Sequence, residues 1–405
     1  MVLTAKQEKG LKIALERWKQ GKKYTVIAGY AGTGKSTLIK YIIKEMGLFD
    51  TQIRYIAYTG KASNVLKNKG CPGATTAHKL LYHARLMPNG KYMFLPIKPR
   101  DMDPAIKVVV VDEVSMLPKE MWDLLCKHRF YILACGDPEQ LPPIADVKGE
   151  DPNNHILDEP HIFLDEVMRQ AQKSEIIRLS MHVREGKPLD TFPVKNEEVM
   201  IFQRKDLTDG MLEWADQVLC ATKRNKNYLN DRIRTIKGFT GDPKIGDKVI
   251  NLHNEWGFLS TKNNPLTNGV IGTIKEFTEQ KWTYPNIIKN IYDGGEFSVP
   301  IFQFTMTGDE EGEEFQMVPA DYNEIVTGQP SLSGPEEYKL YKKSLSIPMH
   351  INYGYAITVW KAQGSEWDKV LLFQETGWPR DPDLCRKYLY TGITRAVKKL
   401  VIVVD

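Results

Sequence analysis

The sequence predicts an α/β protein built on mostly parallel sheets, with two smaller β insertions. Three observations carry this. A glycine-rich loop joins an apolar, β-branched run to a helical stretch near the start of the chain. Short apolar runs then alternate with helical segments. Two regions, 83–104 and 241–345, break that rhythm with turn signals between strand-like pieces.

The elements follow in order. Residues 5–19 place Leu11, Ala14, Leu15 and Trp18 at helical spacing. Tyr24 to Ala28 reads as a strand, and Thr37 to Met46 has helical composition. Further apolar runs lie at 53–58, 108–111 and 130–135. The four valines Val108 to Val111 suit a strand covered on both faces. Between these strands, Met87-Pro88-Asn89-Gly90 sits between Leu86 and Tyr92-Met93-Phe94-Leu95. Asn-Gly between apolar runs predicts a hairpin projecting from the first domain, and the preceding proline leaves the turn type open. A second set of strands is expected near 217–221, 369–373 and 400–404. Within it, residues 241–345 carry Asn268-Gly269, Asp293-Gly294-Gly295 and Thr307-Gly308-Asp309 at a periodicity near two, which predicts a small all-β insertion. Gly328 to Glu337, with Pro330, Gly334 and Pro335, reads as a loop.

The 405 residues suffice for two to three domains. A net charge of +4 permits a polyanionic partner without demanding one. The five cysteines form no CxxC pair and are widely spaced, which argues against a disulfide framework or a zinc site. The start of the chain has no apolar signal region, and no long apolar window suits a membrane span. The expectation is a cytoplasmic protein with no membrane partner.

Residues Gly29-Tyr30-Ala31-Gly32-Thr33-Gly34-Lys35-Ser36 fit G-x-x-x-x-G-K-[ST], the phosphate-binding P-loop, in its proper strand–loop–helix setting. Backbone N–H groups of such a loop curl around phosphate oxygens, and the helix N-terminus adds partial positive charge. Lys35 can reach the β- and γ-phosphates, and the Ser36 hydroxyl can ligate Mg²⁺. Asp112-Glu113 ends the four-valine strand, which suits Asp112 for the ion and Glu113 as base for a hydrolytic water. Gly136 to Pro143 follows the next strand, and its Gln140 can touch a γ-phosphate oxygen and report its loss. Arg169 and Arg395 sit near domain edges. An arginine delivered across a cleft to a transferring phosphate is worth about 10³–10⁵ in rate.

In this order the motifs resemble those of superfamily 1B helicases, of the RecD-like and Dda-like branch that moves 5′ to 3′. Leu3-Thr4-Ala5-Lys6-Gln7 resembles the branch's opening motif, whose glutamine, here Gln7, reads adenine. Residues 29–36, with Thr37 following, match motif I; 57–63 resemble motif Ia; and Thr75 to Leu81 resembles the Thr-x-His segment. Asp112 to Met116 is similar to motif II, 136–143 to motif III, Arg169-Gln170 to motif IV, and Val218 to Asn230 to the next block. Tyr355 to Glu366 resembles motif V and Tyr390 to Ala396 motif VI. The chain departs at Trp360, where the branch usually has histidine; an indole there either stacks on a base or sugar or packs internally.

The resemblance implies two RecA-like lobes with ATP and Mg²⁺ between them. Lobe 1 is expected at 1–170, with 83–104 as a strand-splitting pin. Lobe 2 is expected at 171–240 and 346–405, with 241–345 as an SH3-like insertion. It implies nucleotide contacts from Gly29, Gly32, Thr33, Gly34, Lys35, Ser36, Asp112, Gly364 and Glu366, with Glu113, Gln140, Arg169 and Arg395 catalytic. It implies DNA contacts from Thr59, Lys61, Thr76 and His78 on one lobe and Thr358, Trp360 and Lys361 on the other. The expected substrates are single-stranded and forked duplex DNA, with a single-strand-binding or replisome protein as a candidate partner. Three other readings compete. An RNA-directed helicase shares the motifs. A GTPase needs Asn-Lys-x-Asp, which is absent, and a small-molecule kinase leaves motifs III to VI unexplained. A recruitment module on a degenerate ATPase is opposed by intact Lys35, Asp112, Glu113 and Arg395.

Overall fold

Six parallel strands form the first sheet, in the order Thr75–Thr76, Ile53–Ala57, Val108–Val111, Tyr131–Gly136, Tyr24–Gly29, Ile162–Leu164. The computed structural model describes residues 3–89, 92–144, 151–168, 173–285, 296–309, 312–375 and 380–405. Val108–Val111 and Tyr131–Gly136 are buried at every position, as continuous apolar runs in a two-sided parallel sheet must be. Ile27, Leu133 and Leu164 pack with Leu38 and Ile42 of the helix Lys35–Met46 to make this sheet's core. The helix Ala5–Lys19 begins in a capping box between Thr4 and Gln7. The strand Ile162–Leu164 was not anticipated: three residues between His161 and Asp165 are too few to show a period.

A second sheet runs in the order Ala356–Thr358, Gln217–Cys220, Trp367–Gln374, Ala396–Val404, Val199–Gln203, the last four strands parallel. Val199–Gln203 is also absent from the sequence reading. It is an edge strand whose middle is only half-buried, so its composition lacks a core signature. The helices Glu175–Arg184 and Pro382–Ile393 pack together beside this sheet.

By tertiary contact the chain divides into two units. The first, Met1–Leu81, Pro96–Thr222 and Thr358–Asp405, holds both parallel sheets; the second is Tyr82–Leu95 and Lys223–Ile357. In the second unit, Tyr82–Leu86 and Tyr92–Pro96 pair as the expected hairpin, with Tyr92, Met93, Phe94 and Leu95 exposed. Gly90 and the Asp293-Gly294-Gly295 turn lie outside the described residues. An antiparallel sheet orders Glu314–Asp321, Glu296–Gly308, Ile271–Pro285, Lys248–Asn251 and Ile351–Tyr353 around buried Phe302, Phe304 and Phe315. One expectation fails here. The predicted loop over 328–337 gives way at Gly334 to a helix, Gly334–Lys342. Ser333 and Glu336 form a capping box, and Pro335 stands in the first turn, where its missing N–H breaks no helical bond.

One buried ion pair and one partly buried ionic cluster hold this unit. Arg234 pairs with Asp247 through two bonds of 3.0 and 3.1 Å and also donates to the Gly241 and Asp242 carbonyls. His350 bonds Glu324 at 2.7 Å through Nδ1 and Glu337 at 3.0 Å through Nε2, tying the helices Tyr322–Thr327 and Gly334–Lys342 to the sheet edge. Burial opposes the imidazolium, but the two hydrogen-bonded carboxylates outweigh it and raise the His350 pKa to about 10. Among the described residues, no helix is long and apolar enough to cross a membrane, and the five cysteines are free.

The sign of the His350 shift sets a test. A pKa raised in the folded state stabilises fully below the unfolded value of 6.5, and the contribution disappears as pH climbs through about 10. H350Q should therefore lower the melting temperature most at pH 6, with the gap to wild type narrowing steadily toward pH 10. A pH-independent gap in thermal melts contradicts the ion-pair account.

Candidate active site

The first sheet's topology places three loops side by side. The P-loop strand neighbours Tyr131–Gly136, which neighbours Val108–Val111, all parallel. Their C-terminal ends therefore bring residues 29–36, Asp112-Glu113 and 136–143 to one edge, where open α/β sheets bind ligands. Two glycines are fixed by close approach. A Cβ on Gly29 would lie 2.8 Å from the Leu164 carbonyl oxygen. Gly34 is left-handed at φ +81°, and its Cβ would lie 2.4 Å from Gln7 Nε2. Thr33 Oγ1 donates to the Tyr30 carbonyl at 2.8 Å, and Lys35 Nζ donates to the carbonyls of Gly29 and Tyr30 at 2.6 and 3.0 Å. Ser36 is exposed and Thr37 half-buried in the first turn that follows. Buried Gln7 donates from Nε2 to the Thr33 carbonyl at 3.3 Å and accepts from the Thr4 N–H at 3.0 Å. The glutamine expected to read adenine thus grips the phosphate loop's backbone.

Asp112 accepts the Cys135 thiol at 3.1 Å. Glu113 adopts φ +50°, a left-handed conformation that is uncommon outside glycine and is found at functional sites. Burial raises the Glu113 pKa, the Asp112 charge raises it further, and the charges of Arg395 and Lys35 pull the other way. Asp137 is 0% exposed, and burial raises its pKa against Lys35, the Tyr390 hydroxyl and Arg395. Among the described residues no cluster of three His, Cys, Asp or Glu side chains could hold a metal ion. Asp112 and the Ser36 hydroxyl fit instead a Mg²⁺ that arrives with phosphate oxygens and takes few protein ligands. Gln140 also fits a phosphate-bearing ligand: it is buried, and its Oε1 has no hydrogen-bond partner among the described residues.

The second sheet's elements reach into this edge. Tyr390 OH donates to Asp137 Oδ2 at 2.6 Å and accepts the P-loop N–H of Ala31 at 3.0 Å. The backbone of Leu141 is clasped twice: its N–H donates to Thr391 Oγ1 at 2.9 Å, and its carbonyl accepts Gln363 Nε2 at 3.0 Å. A Cβ on Gly364 would lie 2.7 Å from Ala62 Cβ, so only glycine fits there. Arg386 pairs with Glu139, and the Arg184 guanidinium stacks 3.7 Å from the centroid of the Tyr30 ring. Arg395 is 4% exposed; Nε, Nη1 and Nη2 donate to Thr391 O, Ser365 O and Thr394 Oγ1 at 3.1, 3.3 and 3.2 Å. Glu366 is exposed. Arg169 and Gln170 lie outside the described residues; just before them, the Met168 N–H donates to Gly32 O at 3.0 Å.

The residues expected to touch DNA have varied surroundings. Thr59 and Thr76 cap helices, accepting the N–H groups of Ala62 and Lys79 at 3.2 Å. Lys61 is 9% exposed, with its ammonium 4.8 Å from the centroid of the Trp367 ring. His78 is half-buried beside Tyr58, and burial lowers its pKa. Thr358 precedes the short helix Val359–Ala362, Trp360 lies half-buried against Tyr388, and Lys361 is exposed. Sequence reasoning missed Asp137, Tyr390, Thr391 and Gln363 as individuals, although each lies inside a motif it quoted. Arg184 carried no signal, being one cation at the end of an ordinary amphipathic helix.

Two parallel-sheet lobes joined over a P-loop, a strand-end carboxylate pair and a buried arginine define a two-lobed P-loop NTPase. A family model described as an AAA domain matches residues 3–204, and one described as a UvrD-like helicase C-terminal domain matches 353–403. The ATP-dependent RecD2 DNA helicase of Deinococcus radiodurans is 26% identical over 93% of this chain, which spans only 46% of that relative's length. The ATP-dependent DNA helicase dda of Enterobacteria phage T4 is 23% identical over 97% of both chains. Among solved structures, the Pif1 helicase from Candida albicans aligns with a TM-score of 0.54 at 18% identity, covering 100% of this chain and 94% of that one. Bacteroides Pif1 bound to ssDNA aligns with a TM-score of 0.56 at 16% identity, covering 99% and 92%. The chain belongs with the superfamily 1B helicases related to RecD2 and Dda, and its likeness to the Pif1 structures is one of fold.

Y390F tests the bridge between the lobes. It strips the hydroxyl donor from buried Asp137, a loss of about 1–3 kcal/mol. Steady-state phosphate release should fall roughly tenfold or more, with the circular-dichroism spectrum unchanged. Wild-type turnover in Y390F removes the bridge from the working cycle.

Proposed function

We propose that the protein is an ATP-driven motor that moves along single-stranded DNA, 5′ to 3′, and separates duplex strands. One observation carries the reading: a single hydroxyl, on Tyr390, is shared between the P-loop amide of Ala31 and Asp137 of the loop that follows the next strand. The nucleotide loop and the C-terminal lobe are thus one hydrogen-bonded system. A ligand that binds with groups from both lobes shifts their arrangement by its differential affinity for the closed and open states. Relatives named as DNA helicases, and the likeness to a Pif1 bound to single-stranded DNA, support the substrate class.

In this reading Lys35, Ser36 and the loop amides would hold the triphosphate, and Asp112 with the Ser36 hydroxyl would hold Mg²⁺, which would supply charge neutralisation at the phosphates. Glu113 takes the proton of the attacking water, and its raised pKa suits a base working near neutral pH. Gln140 contacts the γ-phosphate, and Arg395 stabilises charge developing on the transferring group. The exposed Tyr92–Leu95 hairpin acts as the strand-splitting pin, and the antiparallel insertion is an SH3-like module.

Glu113 must be deprotonated to act, so turnover should rise with pH through its elevated pKa. The acid limb of the kcat profile should lie above the ordinary carboxylate range. E113Q should bind ATP yet lose turnover by about two orders of magnitude or more; unchanged hydrolysis removes Glu113 from the base role.

Forked duplexes with a 5′ or a 3′ tail test the motor directly. ATP-dependent unwinding should require the 5′ tail, and K35A should abolish it while keeping salt-sensitive binding to single strands. Unwinding from the 3′ tail alone reverses the polarity, and preferential unwinding of RNA reassigns the substrate.

A further inference from the structure

A second concave site lies at the opposite end of the first sheet. The strands Tyr24–Gly29, Val108–Val111 and Tyr131–Gly136 carry the nucleotide loops at their C-terminal ends. At their N-terminal ends, the segments 21–23, 99–107 and 129–131 border a pocket of about 620 Å³, within the range of ligand sites. Its floor is apolar and fixed. Ile106, Phe130 and Tyr131 are buried, and the partly exposed Trp18 ring meets Tyr131 edge-on at 5.1 Å.

The rim is cationic. Lys22, Arg100, Lys107 and Arg129 are exposed around it. Lys23 donates to the carbonyls of His128 and Phe130 and so braces the wall. The one lining carboxylate, Asp103, pairs with Arg54 at 3.2 Å. Arg100 faces Asp101 at 3.6 Å, on the exposed surface where such pairs are weak. Lys22 and Arg129 meet no carboxylate within ion-pair distance among the described residues. The proposed ATP cycle uses none of these groups.

We infer that this pocket docks an acidic peptide that seats one apolar, preferably aromatic, side chain on the Trp18–Tyr131 floor while its carboxylates meet the rim. Charge complementarity sets the sign of the partner, and the recessed aromatic floor sets its type. An apolar centre inside a polar rim, filled by one anchor side chain, is how protein partners bind. A nucleic-acid strand would meet the rim through its phosphates and could set only a base on the floor, and it is the competing occupant in the test.

The probe is a fluorescein-labelled peptide of consecutive aspartates ending in Phe, titrated into the full chain by anisotropy. Saturable binding is expected. It should weaken with salt and fall roughly tenfold both in K22E/R129E and when the terminal Phe becomes Ala. ATPase stimulation by an oligo(dT) strand should match wild type in that variant, and its melting temperature should confirm an intact fold. R100A/K107A, which only neutralises charge, serves as a second variant and should weaken the peptide by a smaller factor. Equal binding of the Ala-ended peptide, or an unaffected K22E/R129E, overturns the docking site. Displacement of the peptide by oligo(dT), with K22E/R129E weakening the oligonucleotide, reassigns the rim to nucleic acid.

Discussion

A buried hydroxyl organises the nucleotide edge of this molecule. Tyr390 OH faces a carboxylate on one side and a P-loop amide on the other, and each of those groups needs it. Asp137 is 0% exposed, and an unpartnered carboxylate at that depth is costly to keep ionised. The Ala31 N–H, one of the loop amides, donates to the same hydroxyl. Because one atom serves both, withdrawal of the C-terminal lobe would strip the Oδ2 donor from a buried acid, whose Oδ1 keeps the Glu139 N–H, and the hydroxyl partner from a loop amide together. Leu141 repeats the logic in the backbone, its N–H and carbonyl both taken by side chains from beyond residue 360.

The parallel sheet makes that meeting possible. Parallel pairing sends every strand's C-terminal end to one edge, so motifs separated by a hundred residues share a few ångströms of surface. The register Ala28↔Gly136 and Val111↔Ala134 then fixes the depth of each loop. Sequence patterning therefore acts at two removes: apolar runs choose the strands, and the strands choose which polar residues meet.

This also explains what was legible in the chain. The P-loop, the Asp112-Glu113 pair and the long buried strands have local signatures, because glycine at a close approach and continuous apolar runs are demands of the backbone itself. Ile162–Leu164 and Val199–Gln203 are edge strands, short or half-buried, whose identity comes from pairing rather than composition. The helix Gly334–Lys342 was hidden because its Gly and Pro, read as breakers, stand at a start site, where the same chemistry favours a helix. Gln7, Tyr390 and Arg184 act through partners more than twenty residues away in sequence, so no window of sequence could display those contacts.

The environment of Arg395 carries the electrostatic argument further. Its Nε, Nη1 and Nη2 donate to neutral oxygens: two carbonyls and a hydroxyl. A carboxylate in direct contact would cancel its charge within hydrogen-bond range. Neutral acceptors orient the guanidinium and leave its field intact, and that field is felt by Glu113 and Asp137, whose carboxylates it favours against burial. In a buried site such a field is weakly screened. A cation held rigidly by dipoles, beside two carboxylates that burial pushes toward neutrality, is already arranged for negative charge that appears only in transit. In the proposed cycle this arrangement would act as electrostatic preorganisation, in which the reorganisation is completed by folding rather than at the moment of reaction. The arginine's position is set by the Thr391–Thr394 turn, the same turn whose threonine grips Leu141. The group that would sense the phosphate and the group that locks the lobes thus move as one piece of backbone.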